Sequence, residues 1–448
     1  MLSPQQAQDR AQDLVERARR AGADAADAIY AANASEGIQI RLGNLEDVER
    51  SESEHISLRV FAGKRSASIG SSDMSPAALD ELAERAISMA RLAPEDAYAG
   101  LAPEELLSQA PWPDLDMIDS GELSPQTLRT MAEEGEEAAR AVAGVTNSDG
   151  ASAHSGSGVF ALTTSHGFAG SYASTNHSLS VSVVAGEGNA KQRDNAWRQS
   201  HHREDLPSAA EIGTLAGTRA VGRLNPGRVR SGPLPVVFDP RVGGTLIGHL
   251  LGAMSGSAIT RRSSFLLDRI EERIFKAGIE IGDNPHLKRG LRSRPFDGEG
   301  LATRPTTLVE DGRVTGWLLD TASARQLGLA PTGHAARAGG GSPSVSVGNV
   351  HLSAGTLSPE ELMADIKDGI YVTELIGQGV NGVTGDYSRG ASGFRIIDGQ
   401  IAGAVSELTV AGNLMAMYAQ LTPANDLEWY RAINVPTIRV DGMTVAGE

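Results

Sequence analysis

The chain has 448 residues, well beyond the size at which one hydrophobic core stops growing, so we expect two or more domains. Its formal net charge of −16 argues against a nucleic-acid partner, because such binding requires neutralised phosphates. The lack of cysteine excludes disulfides and thiolate metal ligands, and the polar start and absence of a long apolar run predict a cytoplasmic protein with no membrane partner.

Four helices are predicted by one signal, a Ser-Pro pair that opens an amphipathic segment. The pairs are Ser3-Pro4, Ser75-Pro76, Ser124-Pro125 and Ser358-Pro359. Serine at the cap accepts a hydrogen bond from an unpaired amide, and proline at the first helical position loses nothing by lacking an N–H. The first and last of these helices also have the residue spacing of a capping box.

Strand-like and helical segments follow one another irregularly in the first half, which predicts an α+β domain. We expect strands at Ala26–Ala32, Gly37–Arg41 and Ile56–Phe61, an antiparallel meander over Val145–Ala185, and a helix over Ala209–Val221. The arginine-rich segment Arg223–Arg230 surrounds a Pro-Gly pair and is interpreted as a solvated linker. We therefore place an α+β domain with a sheet and flanking helices at 1–228 and a β-rich domain at 229–448.

Asp-Gly dipeptides between apolar residues predict hairpins in the second half. We expect hairpins over Val309–Leu319, Gly393–Ile401 and Ile438–Val445, with a short helix over Pro359–Ile366. The edges of such a glycine-rich β domain need to be covered, so a homodimer is expected for the chain alone.

Two motifs do not have the context that their chemistry requires. Gly377–Gly382 matches the G-x-G-x-x-G dinucleotide pattern, but the glycine-rich continuation cannot begin the helix that would meet a pyrophosphate. His201 and His202 are adjacent, so on a strand they would point to opposite sides and rarely bind one metal; we interpret them as an exposed pair.

His249 follows the strand-like run Leu234–Phe238 in a segment rich in glycine and leucine. No His-Glu-x-x-His or His-Glu-x-x-x-His occurs in the sequence, and two further zinc ligands are not visible nearby. A packed histidine is the simpler interpretation. A site shared by His249 and His334 remains an alternative.

The segment Gly385–Gly390 places Asp386, Tyr387, Ser388 and Arg389 between glycines. We expect a loop, since glycines allow close turns and loops of this composition often carry function. Two interpretations stay open: a substrate- or partner-facing loop, and a tight connection fixed by pairing of Asp386 with Arg389.

Taken together, these segments resemble the TldD/PmbA family, in its PmbA (TldE) branch. The resemblance is carried by residues 58–90, 248–268, 284–300, 317–329, 331–337, 372–394 and 405–414. It implies an α+β N-terminal domain, a β-rich C-terminal domain that dimerises, and a cytoplasmic role in a zinc metalloprotease formed with a TldD-like subunit. The implied substrates are peptides and unfolded proteins, including peptides undergoing maturation.

The resemblance also implies that zinc belongs to the partner subunit. There a His-Glu-x-x-x-His motif and a cysteine hold the metal, with the glutamate as general base. If its second histidine corresponds to His249, then Gly244 and Thr245 occupy the positions of the first histidine and the glutamate, and neither can bind zinc or activate water. No catalytic residue, metal ligand or cofactor is therefore expected in this chain.

Two alternatives remain open. One is an independent peptidase with an unconventional site around His249 or His334. The other is a regulator that binds a target protein without proteolysis.

Overall fold

The computed structural model describes residues 1–121, 123–337 and 341–448. Its N-terminal half consists of one antiparallel sheet and four helices, in which the unit helix–three strands–helix occurs twice. The first unit is α1 Pro4–Arg20, β1 Ala25–Arg41, β2 Asn44–Ala62, β3 Arg65–Ser71 and α2 Pro76–Leu92. The second is α3 Pro125–Arg140, β4 Val145–Thr164, β5 Ala169–Ala185, β6 Gln192–Ser200 and α4 Ala209–Gly222.

The two units meet at the centre of this sheet, whose strand order is β3-β2-β1-β4-β5-β6. Alternate residues of β1 face the helices: Ala26 and Ala28 pack in the core beneath α1 and α2, and Ile38 and Ile40 in the core beneath α3 and α4. The opposite face of β1 carries Asp27 and faces the C-terminal half. All four helices therefore cover one side of the sheet.

The Ser-Pro predictions are confirmed. The cap serine of each helix accepts the backbone N–H three residues later, and reciprocal capping boxes form at Ser3 with Gln6 and at Ser358 with Glu361. The two short strands predicted before residue 42 are one continuous strand, β1, and the predicted meander consists of the long strands β4 and β5.

The C-terminal half contains more helix than its hairpin signals indicate. Its helices are α5 Pro240–Met254, α6 Gly256–Thr260, α7 Thr321–Leu327, α8 Pro359–Met363 and α9 Leu414–Gln420. Its longer strands are β7 Gly232–Phe238, β14 Asp368–Ile376, β15 Asp386–Ile397, β16 Gln400–Asn413 and β19 Ile438–Ala446. Its short strands are β8 Ile281–Asp283, β9 Thr306–Glu310, β10 Arg313–Val314, β11 Ala335–Ala336, β12 Ser344–Val345, β13 Val350–Leu352, β17 Leu421–Pro423 and β18 Ile433–Asn434.

The long strands of this half close into a ring. They pair in the order β16-β15-β14-β7-β19, and β19 pairs again with β16 through Val410 and Val445. A closed ring has no free edge. The five-stranded sheet β10-β9-β8-β13-β18 of the same half is open, so edges remain to be covered there, and the homodimer stays a prediction.

One predicted hairpin is wrong, and so is the predicted loop. Residues 438–446 form one strand, β19, in which Asp441 and Gly442 bulge opposite Pro235, a residue with no N–H to donate to the ladder. The supposed loop over Asp386–Arg389 is the start of β15, paired with β16 on one side and hydrogen-bonded to Gly379 and Asn381 on the other. A glycine further along β15 lets this strand approach β14 closely, since a Cβ at Gly393 would lie 2.0 Å from the carbonyl oxygen of Tyr371.

The two halves are joined by apolar and charged contacts. Phe296 packs against Phe168 and Tyr172 of the N-terminal half, with ring centroids 4.9 and 5.5 Å apart. Asp27, buried in β1, accepts hydrogen bonds from both Arg59 and Arg337. Burial alone would raise the pKa of Asp27, but the two guanidinium groups offset this and hold it below its ordinary value.

Arg223 corrects the interpretation of Arg223–Arg230 as a fully solvated linker. Its guanidinium contacts Glu374 of β14 and donates a 2.8 Å hydrogen bond to Ser392 of β15, so it ties α4 to the C-terminal half. The predicted boundary at residue 228 lies between α4 and β7. No helix in the described part of the chain is long and apolar enough to cross a membrane.

Candidate functional site

His249 lies on α5, a helix that begins with a local capping interaction. The Asp239 carboxylate accepts the N–H of Arg241, and Pro240 occupies the first helical position. Leu246, Ile247 and Leu250 bury one side of the helix in the C-terminal core. His249 sits beside this buried stripe, half-buried, and its Nε2 has no hydrogen-bond partner among the described residues.

Strand β15 brings two polar side chains to the same place. Alternation along the strand buries Tyr387 and Arg389 and leaves Asp386 and Ser388 exposed. The Tyr387 ring meets the His249 ring edge-on at 6.1 Å, and the Arg389 charge acts on both residues. We call His249, Tyr387 and Arg389 the His249 cluster.

Asp386 does not pair with Arg389, which corrects the pairing considered from sequence. Asp386 is exposed and accepts hydrogen bonds from the Thr384 hydroxyl at 2.6 Å and from Asn413 Nδ2 at 3.2 Å. Its side chain and that of Arg389 lie on opposite faces of β15, because side chains alternate between the two faces of a strand and the two residues are three positions apart. The sequence segment therefore contributes two separate surfaces.

Burial dominates the electrostatics of the His249 cluster. Desolvation lowers the pKa of His249, and the nearby Arg389 cation lowers it further. Desolvation raises the pKa of Tyr387 to about 12, against a smaller opposite effect of Arg389. At neutral pH the cluster thus contains a neutral imidazole, a neutral phenol and one positive charge.

These donors do not fit a zinc ion. His249 is the one good ligand of the three, and a permanent cation beside it would repel a metal dication. Gly244, at the position of the motif's first histidine, has no side chain that could supply a second ligand. Within residues 1–121, 123–337 and 341–448, no three His, Asp or Glu side chains are placed to hold a metal.

His334 belongs to a different environment. It is buried, its Nδ1 lies 2.8 Å from the Thr332 hydroxyl, and its Nε2 lies 3.4 Å from Asp283. Its contacts are thus with residues outside the His249 cluster. The structure gives the two histidines no common partner in the described chain.

His201 and His202 are buried, so the interpretation of an exposed pair is wrong. His201 bridges the carbonyl oxygens of Thr175 and Gly290, while His202 Nε2 lies 2.9 Å from the carbonyl oxygen of Asp116. The two rings lie in the bend after β6 and therefore fix separate chain segments. Their role is structural.

Sequence reasoning missed one polar group, in a cleft of about 390 Å³ on the N-terminal sheet. Ser155 and His177 are cross-strand partners, with Ser155 Oγ 3.1 Å from His177 Nδ1, and Asp119 lies 3.5 Å from Nε2. Asp119 forms its hydrogen bonds with the N–H groups of Gly121 and Arg203 instead. We interpret the group as a clip that holds the segment before α3, and only strand register could have revealed it.

Comparison with known proteins identifies the family. Family models described as PmbA/TldA metallopeptidase domain 1, central domain and C-terminal domain match residues 26–90, 118–224 and 231–447. The chain is 38% identical over 413 residues to Metalloprotease PmbA of Escherichia coli O157:H7, covering 92% of this chain and 90% of that protein. It is 34% identical to the PmbA homolog of Haemophilus influenzae, covering 97% and 94%.

Solved structures agree. A candidate modulator of DNA gyrase from Bacteroides thetaiotaomicron superposes with a TM-score of 0.92 at 26% identity over the whole of both chains. TldE from Thermococcus kodakarensis has the same fold, with a TM-score of 0.86 at 21% identity over 98% of this chain and all of that one. The mixed α+β fold with its β-rich C-terminal part is the one these structures share. The chain belongs to the PmbA/TldD metallopeptidase family, in its PmbA branch.

Proposed function

We propose that this chain is the metal-free subunit of a TldD-type zinc metalloprotease that acts on peptides and unfolded proteins in the cytoplasm. The observation that carries the proposal is the His249 cluster. At the helix where the family's zinc motif would lie, this chain has Gly244 in place of the ligand and Thr245 in place of the base. The remaining histidine of that position, His249, lies beside the Arg389 cation. The relatives named as metalloproteases support the protease role.

In this proposal the zinc and the general base reside in a TldD-like partner. The chain contributes docking, substrate admission and support of the partner's site, and the β15 segment Asp386–Arg389 faces the partner or the incoming peptide. Neither nucleic acid nor membrane is a partner, in keeping with the net charge of −16. An independent peptidase would require a water-activating group at His249, where the neighbouring Arg389 cation disfavours the binding of a metal dication.

The first prediction is that the purified chain binds no stoichiometric zinc and cleaves no unfolded peptide. Its mixture with a TldD-like subunit should bind zinc and cleave the peptide. The physical reason is the missing second and third ligand and the missing base. Metal analysis and a peptide-cleavage assay on the chain, the partner and the mixture are the measurements. One zinc per isolated chain that is lost in His249→Ala would contradict the prediction and favour the alternative of an independent peptidase.

A further inference from the structure

Three buried polar atoms without partners lie together in the His249 cluster. They are Nε2 of His249, the hydroxyl of Tyr387 and Nε of Arg389, none of which has a hydrogen-bond partner in the described chain. Tyr387 is 2% exposed and Arg389 8%. Buried polar groups in folded proteins are nearly always hydrogen-bonded, so a concentration of unpaired ones points to a missing ligand.

Arg389 differs from the other buried arginines in how its charge is balanced. The buried Arg59 and Arg337 share the carboxylate of Asp27, and the half-buried Arg241 pairs with Asp194 and Asp239. Arg389 forms no ion pair with any described residue, and the groups that face it, His249 and Tyr387, are both neutral. A buried charge without a counter-charge is strongly unfavourable, so this site is arranged for an anion that comes from outside the chain.

The chemistry of the three groups specifies that anion. A guanidinium presents a planar fork of N–H donors that matches the two oxygens of a carboxylate, and a phenol and a neutral imidazole can each donate one further hydrogen bond. The same positive charge disfavours a metal cation.

We propose that the His249 cluster binds one carboxylate group of a peptide, with Arg389 as its counter-ion and Tyr387 and His249 as additional donors. The assignment of the carboxylate to a peptide rests on the proposed function. The position that serves zinc chemistry in the partner would thereby serve peptide anchoring in this chain. No covalent step is involved.

The binding test uses the full chain and one short unstructured peptide without acidic side chains, prepared as the free acid and as the C-terminal amide. We expect the free acid to bind about tenfold more tightly by calorimetry, since a charge-assisted hydrogen bond is roughly twice as strong as a neutral one. An amidated peptide with one internal aspartate distinguishes side-chain from terminal carboxylates. Arg389→Met should abolish the preference, and Lys367→Met, which removes an exposed cation outside the segment Asp386–Arg389, should retain it.

Stability provides a second, independent readout. Arg389→Met removes a buried charge that has no ion pair among the described residues and should raise the apparent melting temperature of the isolated chain. Arg241→Met removes a cation shared by Asp194 and Asp239 and should lower it. A lower melting temperature for Arg389→Met, or equal binding of acid and amide by the folded wild type, would overturn the proposal. Peptide anchoring without cleavage by the reconstituted pair would overturn the proposed function alone, and cleavage without anchoring would overturn this inference alone.

Discussion

At the scale of single residues, the neighbours of His249 determine its protonation. Burial and the Arg389 cation both disfavour the imidazolium form, so the folded-state pKa lies below the ordinary value. The unfolded chain therefore binds a proton at His249 more readily than the folded one. This residue's contribution to stability is complete above the unfolded pKa, about 6.5, and is lost as the pH falls below it.

We predict that an NMR titration of the His249 ring protons gives a midpoint below 6.5. In Arg389→Met the midpoint should move upward, because the second cause is removed, yet remain depressed, because burial is the larger cause. Ser388→Ala is the matched control and should leave it unchanged. A titration midpoint that does not change in Arg389→Met would mean that the side chains of His249 and Arg389 do not interact.

At the scale of secondary-structure elements, charge pairs connect strands that are distant in sequence. Asp27 on β1 lies between Arg59 on β2 and Arg337, which follows β11 in the C-terminal half. Glu299 lies 3.8 Å from Arg59, so the group extends to the segment after Phe296. The carboxylate at its centre is 1% exposed. This network fixes the face of the N-terminal sheet that the helices do not cover.

We predict that Asp27→Asn destabilises the chain by about 3–5 kcal/mol, because two buried guanidinium groups lose their shared counter-charge. Since the folded pKa of Asp27 is depressed, its stabilisation is present above the unfolded pKa near 3.8 and is lost as the pH falls through the folded value. Urea unfolding at neutral and acidic pH is the measurement. Asp398→Asn, which breaks an exposed pair with Lys367, is the control and should change stability by less than about 1 kcal/mol.

At the scale of the whole molecule, one long strand edge is paired with no other strand of the described chain. Residues 44–54 of β2 are exposed and form their ladder with β1, and Leu45 and Val48 are among them. The corresponding part of β5 in the second unit is covered, since Thr175 hydrogen-bonds to Met117. Free edges of this length are usually covered by another chain or protected by charge, and this one carries many acidic residues.

We predict that the isolated chain is a homodimer and that a TldD-like subunit exchanges into it. Light scattering should give about twice the chain mass of 46.8 kDa, and replacing Leu45 and Val48 by glutamate should shift the equilibrium toward the monomer if this edge contributes. Glu49→Gln, on the same edge, serves as control. A mass of one chain at micromolar concentration would refute the dimer.

The sequence alone determined the features that depend on neighbouring residues. Serine caps, the hairpin turn at Asp398-Gly399 and the helix α4 follow from interactions within a few residues, and they form as predicted. Asp441-Gly442 carries the same turn signal and does not form a hairpin, because its pairing with β7 opposite Pro235 is a long-range contact. Local signals are decisive only where no distant strand competes for the same backbone groups.

Only the tertiary structure decided what the polar residues do. His249, Tyr387 and Arg389 were each conspicuous in the sequence, but their contact depends on how α5 packs against β15, and the same packing leaves Asp386 on the opposite face. Asp27 and Arg337 are 310 residues apart and meet only where the two halves join. Burial lowers the pKa of His249, and within the described chain Arg389 is buried without an ion pair. Both are properties of the packed chain that no local pattern of residues indicates.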